Sequence, residues 1–420
     1  MKVGIVGSGI AGLAAAYLLN RNGHDVTLFE RQESLGMAAH GMSLPGGGHE
    51  AESGDVPSRM FNELLWPNLT GLYREIGVAV EEVNPTQSLT DSTGKTYLRF
   101  SKAYRPNIDA SLVFDSRSRK ILAGLRQLFA AAENDLKNGT MAGQTLEEYL
   151  RSGGYSAELK FGYLYPTLSS TVCTCSYSAL ADYPALLIFK SLQQLTGESP
   201  LQKTVHGTVD VVKRLSKSIS KVSLSTTVEK IVREGAYVDI TVEQNGQRSE
   251  HRFEHLIVAT QANQALKIID TLVDEERQML QSFQYENIPV FVHTDCSLMP
   301  SERRRWATFN MISSEESAAM CSVWMNQFHA NWETDVDVFQ TIGPTRMPKE
   351  ELVLGVANLQ RPVVNEGSQS GWNMLARLNA QNERRLWFCG SYASEGIPLL
   401  ESGVASAVSI LNNLEAAPRV

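Results

Sequence analysis

Gly7, Gly9 and Gly12 stand in the order G-x-G-x-x-G between an apolar run, residues 3–6, and a helix-forming run, residues 13–20. Strand, tight turn and helix in that order make a seat for the pyrophosphate of a dinucleotide. One glycine makes the turn, the second lets the backbone approach the phosphates, and the third lets the helix pack close to the strand. Free N–H groups at the helix N-terminus then face the anion. A second apolar strand, residues 25–29, ends at Glu30, the distance at which a carboxylate takes the adenosine ribose hydroxyls.

Other residues offer chemistry with less support. Trp324 and Asn326 alternate within a strand-like run, so one face of a strand would carry both toward a pocket; core packing of the tryptophan is the equal alternative. Glu395 follows a turn near the last strand, where it either anchors a substrate ammonium or sits on the surface. His293 and Asp295 share a face, but no nucleophile accompanies them, and a structural role is expected. Phe161, Tyr163, Tyr165 and Tyr177 read as core. The five cysteines have irregular spacing, and Cys173-Thr-Cys175 is too close for C-x-x-C geometry, so buried free thiols and a reducing cytoplasm are expected. No metal site is expected.

The elements that must position these residues follow from periodicity. A chain of 420 residues exceeds the usual single core, and with 43% hydrophobic and 20% charged residues it reads as a soluble two-domain protein. The net charge of −8 argues against a nucleic-acid partner. No run has the length of a membrane helix, and the apolar start is explained by the glycine motif rather than by a targeting segment. A helix, whole or broken at Pro67, is expected over residues 58–77, with Phe61, Leu64, Leu65, Leu69, Leu72 and Ile76 on one face. Helices follow at 117–138, 146–151 and through 155–195. Strand alternation returns at 221–231 and 237–242, and the chain reaches "HLIVAT" at 255–260, "LWFCG" at 386–390 and a helix from about 399 to 414. The expected division is a dinucleotide domain from 1–56, 200–286 and 384–420, interleaved with a substrate domain from 57–199, largely helical, and 287–383, largely sheet.

The combination of "GIVGSGIAGLAAAYLL…HDVTLFE", "VSLSTTVEKI…HLIVATQA" and "LWFCGSYASEG…ESGVASAVSIL" resembles the flavin-containing amine oxidase and phytoene desaturase superfamily. The stretches "WPNLTGLYREIGV", "FGYLYPTLSSTVC" and "SVWMNQF" are similar to a bacterial branch of FAD/NAD-binding oxidoreductases. The resemblance implies an α/β fold in which a Rossmann-type FAD-binding domain is interleaved with a mixed α+β substrate domain. It also implies that Gly7, Gly9, Ile10, Ala11 and Gly12 hold the FAD pyrophosphate and that Glu30, with Arg31, holds the ribose. The backbone at Val228 would meet the adenine, Gly390 and Ser391 the ribityl and phosphate part, and the helix starting near Leu400 the flavin pyrimidine.

The chain departs from the family where a Gly-Gly pair and then Arg or His are usual. Gly36 is kept, Met37 takes the second place, and the histidine would be His40. The branch's His-Glu-Asp-Gly signature is replaced by "IPLLESG", and no cysteine opens the last helix, so the FAD is expected to be non-covalent. A second glycine-rich phosphate loop for NADPH is absent. The expected activity is therefore oxidation of a small-molecule C–N or C–C bond with oxygen or another acceptor. A carboxylate near the flavin would favour an amine, and an apolar tunnel a lipid-like chain. The alternatives are a flavin-binding isomerase or non-redox partner protein, and an NAD(P)-linked dehydrogenase; a homodimer is left open.

Overall fold

The computed structural model describes residues 1–37, 41–43, 53–103, 115–313, 319–329, 332, 334–381 and 383–416. The strand Lys2–Val6 lies at the centre of a parallel sheet whose order is Leu386–Phe388, His255–Val258, Lys2–Val6, Asp25–Phe29 and Lys221–Ser223. Val3, Ile5, Leu28, Leu256 and Ile257 are wholly buried, because a parallel sheet is covered on both faces and its strands are apolar throughout. The helices Ile10–Arg21 and Leu400–Ala416 pack together on one face. An antiparallel layer of Thr226–Glu234, Tyr237–Gln244 and Gln247–Phe253 covers the other, with Phe29 edge-on to Phe253.

The second unit is built on a seven-stranded mixed sheet, ordered Val353–Pro362, Tyr285–His293, Phe339–Ile342, Ala319–Trp324, Phe309–Ser313, Gln87–Thr90 and Thr96–Phe100. Helices from 116–196 cover it. The longest, Ser116–Asn138, starts where the Asp115 carboxylate accepts the N–H groups of Arg117 and Ser118, and stops at Gly139, whose φ of 70° closes the helix without a Cβ clash. Tyr163, Tyr165 and Tyr177 are buried in this core, with Phe161 packed against it. The fold is thus an interleaved α/β unit plus a mixed α+β unit. No described helix is long and apolar enough to cross a membrane.

The stretch expected to be helical from 58 to 77, whole or broken at Pro67, is helical only from that proline on. The helix is Pro67–Glu75 alone, with the proline at its first turn, where a missing N–H costs nothing. Upstream, Phe61 exchanges backbone hydrogen bonds with Gln202, 3.0 and 2.8 Å long, which hold the chain extended, and Leu64 is 46% exposed rather than on a shared apolar face.

A buried charge cluster ties the first unit together. Glu276, fully buried, accepts hydrogen bonds from Arg233 Nη1 at 2.9 Å and Nη2 at 2.6 Å, and Arg384 lies 3.5 Å away. Removing the one carboxylate leaves two guanidinium groups unpaired, which costs about 3–5 kcal/mol in comparable sites. Urea unfolding of Glu276→Ala should therefore show a loss of that order, with Glu276→Gln intermediate.

Candidate functional site

A cavity of about 1070 Å³ opens where the first turn, the second unit's sheet and the helical block meet. Its floor is the glycine turn. Gly7 adopts φ +100°, and a Cβ on Gly12 would lie 1.9 Å from the Gly7 carbonyl oxygen, so neither position tolerates a side chain. Gly9 is different: its φ of −60° suits any residue, and a Cβ there would meet nothing within 4 Å. Its hydrogen preserves the space above the turn, not the fold below it. Gly9 also precedes the helix Ile10–Arg21 without a side-chain cap, which leaves the first-turn N–H groups for a ligand.

Glu30 holds this turn in shape. Its Oε2 accepts from the Ser8 N–H at 2.9 Å and the Ser8 hydroxyl at 2.6 Å, and its Oε1 accepts from the Gln32 N–H at 2.9 Å. The Ser8 hydroxyl in turn accepts the Gly36 N–H at 2.6 Å. Glu30 is 8% exposed and lines the cavity. A Cβ on Gly36 would press on the Ser8 carbonyl at 2.8 Å, which accounts for the small residue there.

Of the residues the sequence singled out, Gly7, Gly9, Ile10, Ala11, Glu30, Arg31, Gly36, Val228, Gly390, Ser391 and Leu400 line this one cavity. Gly12 lies under it, and Met37 is buried with its carbonyl accepting from Thr208. His40 lies outside the described residues. Cys389 is a core thiol beside Ser406, pushed up to about 12 by burial, so it is no thiolate.

Trp324, Asn326 and Glu395 do not join them. The strand ends at Trp324 and a helical turn, Met325–Phe328, follows, so the two residues share no strand face. Trp324 donates to Asp337 at 3.0 Å and packs edge-on against Trp306, while the Asn326 side chain bonds the backbone of Val336 and Val338. Glu395 is exposed and outside the lining. Sequence reasoning missed Arg59, Trp66, Gln261, Asn263, Tyr285 and Arg361, all of which line the cavity. Gln261 and Asn263 had a signal: they follow the strand His255–Val258 at a helix start, the same place that the glycine turn holds after the first strand. The arginines had none: Arg361 reaches the site through the pairing of its strand with Tyr285–His293, and nothing local marks Arg59.

His293 and Asp295 form a structural pair. Asp295 donates its N–H to His293 Nδ1 at 3.1 Å, His293 Nε2 meets the Thr341 hydroxyl at 2.7 Å, and the Asp295 carboxylate accepts from Ser297 and Lys349 N–H groups. Burial pushes His293 down to about 4, and His255 and His329 likewise. A histidine held neutral in the fold but titrating near 6.5 when unfolded supports stability fully above pH 6.5 and loses that support as pH falls toward 4. The thermal midpoint should decline across that window, and His293→Gln should flatten part of the decline.

A second prediction separates the two kinds of glycine. Gly9→Val should fold with the thermal midpoint of the ligand-free parent yet bind dinucleotide at least ten-fold more weakly. Gly12→Val should fail to give soluble folded protein, because its side chain has no place beside Gly7.

Residues 5–76 match the family model of an NAD(P)-binding Rossmann-like domain. A D-amino acid dehydrogenase of Methylobacterium nodulans is 27% identical over 196 residues, a stretch that is 43% of this chain and 43% of that protein, so the likeness spans under half of its length. Among solved structures, a CLA-producing fatty acid isomerase from P. acnes superposes with a TM-score of 0.67 at 13% identity, covering 98% of both chains. Cyclohexylamine oxidase from Brevibacterium oxydans IH-35A superposes with a TM-score of 0.66 at 16% identity over 99% of both. The chain thus carries an NAD(P)-binding Rossmann-like domain at residues 5–76 and shares the overall fold of these two solved structures.

Proposed function

We propose that this chain is an FAD-dependent oxidoreductase, of the amine-oxidase or desaturase type, that moves a hydride from a C–N or C–C bond of a small or lipid-like molecule to flavin N5. The product is an imine or an alkene, and oxygen takes the electrons. One observation carries the reading: a continuous cavity of about 1070 Å³ runs from the glycine turn and Glu30 to the wall of the seven-stranded sheet. Pockets for a single drug-sized ligand span roughly 300–1,000 Å³, so the space suits a dinucleotide with a substrate beside it.

In this reading the first-turn N–H groups at Ile10 and Ala11 hold the pyrophosphate above Gly7 and Gly9, and Glu30 with Arg31 holds the adenosine ribose. Val228 meets the adenine, Gly390 and Ser391 the ribityl chain, and the N-terminus of the helix at Leu400 the pyrimidine. Gly36 and Met37 shape the loop beneath. The open space at Gly9 and the uncapped helix start are what make the fit physical. The bound flavin supplies the hydride acceptor.

What the chain adds is binding, orientation and exclusion of water. No histidine or cysteine is among the described lining residues, and burial raises the Tyr285 hydroxyl, which accepts the Ala262 N–H at 2.8 Å. The described lining thus offers neither an imidazole nor a thiol as a general base. An amine substrate would have to arrive unprotonated. Met60, Trp66, Val172, Phe309 and Val323 give the far wall its apolar character.

The purified protein should be yellow, with flavin absorbance that passes into the supernatant on acid precipitation. Under argon, a turned-over donor should bleach it stoichiometrically. Protein that stays colourless after incubation with FAD, yet binds NADH tightly, would move the case to an NAD(P)-linked dehydrogenase. Turnover that consumes no acceptor would move it to an isomerase.

A further inference from the structure

The cavity carries positive charge that no described lining residue balances. Arg59 and Arg361 both line it. Arg59 Nη1 and Arg361 Nε are enclosed and have no hydrogen-bond partner, and neither guanidinium is in an ion pair among the described residues. Glu30 is the sole carboxylate among the described lining residues, and Ser8 and Gln32 already engage it. Glu286 stands opposite Arg361 across the strand pair, but its carboxylate accepts the Ser176 N–H at 2.8 Å and hydroxyl at 2.6 Å instead. The groups acting on Arg361 are the Tyr183 hydroxyl and the Cys173 and Cys175 thiols, together with Arg59 itself, and burial raises Tyr183 and Cys175 so that neither offers an anion. Burial first, and then Arg59, push the Arg361 guanidinium below the usual arginine range.

An enclosed guanidinium N–H without an acceptor costs stability, and two such arginines in one pocket cost more. Their planar forks match a carboxylate in geometry as well as charge. Among the described lining residues an ammonium would find the opposite: no carboxylate beyond the engaged Glu30, and like charges. We propose that the substrate of this cavity is a carboxylic acid with an apolar body, its carboxylate held by Arg59 and Arg361 and its body lying against Met60, Trp66, Phe309 and Val323. The proposal rests on reading the rest of the cavity as the flavin site.

Three probes of one chain length decide it: nonanoate, nonanamide and nonylamine, titrated into the holoenzyme and read by perturbation of the flavin spectrum and by calorimetry. Nonanoate should bind at least ten-fold more tightly than the amide, and the amine no better than the amide. Arg361→Met and Arg59→Met should weaken nonanoate ten-fold or more and leave nonanamide within two-fold, while Arg361→Lys recovers part of the loss. Both methionine variants should also keep a full complement of flavin and show a raised thermal midpoint without ligand, because each removes an uncompensated charge; a structural arginine would lower it.

Equal binding of acid, amide and amine would overturn the proposal. So would variants that purify depleted of flavin, which would assign the arginines to the cofactor. If the wild-type protein takes up no flavin at all, the calorimetric titration still decides: arginine-dependent nonanoate binding upholds the carboxylate site while the flavin reading falls.

Discussion

The closeness of the helix Ile10–Arg21 to the turn before it is the constraint on which the molecule depends. A single methyl group on Gly12 would be driven into the Gly7 carbonyl. The same helix is pressed from outside by Leu400–Ala416, where a Cβ on Gly403 would lie 2.9 Å from the Ile10 side chain. The run Ala14, Ala15 and Ala16, almost without exposure, lets the packing stay tight. The helix is thus fixed between sheet and partner helix, and its N-terminus is aimed into the cavity as a consequence.

Charge is arranged around that geometry with few groups. Glu401 lies in the first turn of the helix Leu400–Ala416, where a carboxylate would oppose the binding of an anion. Its oxygens instead accept the N–H groups of Asn68 and Leu69 and the Asn68 side chain. A carboxylate of one unit thereby serves the N-terminus of the helix Pro67–Glu75, as helix dipoles favour. The contact joins residues more than 330 positions apart at the edge of the cavity.

What was legible in the sequence was what local pattern determines. The glycine turn, Glu30, and the strands at 25–29 and 255–258 each write their geometry into a few neighbouring residues, and continuous apolar runs mark the covered parallel sheet. The helix expected from Ser58 was not legible, because Phe61 is held by Gln202, a partner that periodicity does not see. Trp324 and Asn326 alternate in the sequence but not in space, since the strand turns helical between them. Arg59 and Arg361 belong to the same class. Arg361 is an ordinary arginine until strand pairing sets it opposite Glu286 and near Tyr183, and Arg59 joins it only at the shared cavity.

The parallel sheet draws its five strands from residues 2–6, 25–29, 221–223, 255–258 and 386–388. Synthesis delivers these from the first to the last over nearly the whole chain. A nascent chain that has exposed the glycine turn still lacks the edge strand Leu386–Phe388 and the helix that presses on Ile10, so the cavity beside the turn is not yet enclosed. Contacts of such sequence separation form late and slowly. The order of emergence from the ribosome therefore places the closing of the cavity near the end of synthesis of these residues.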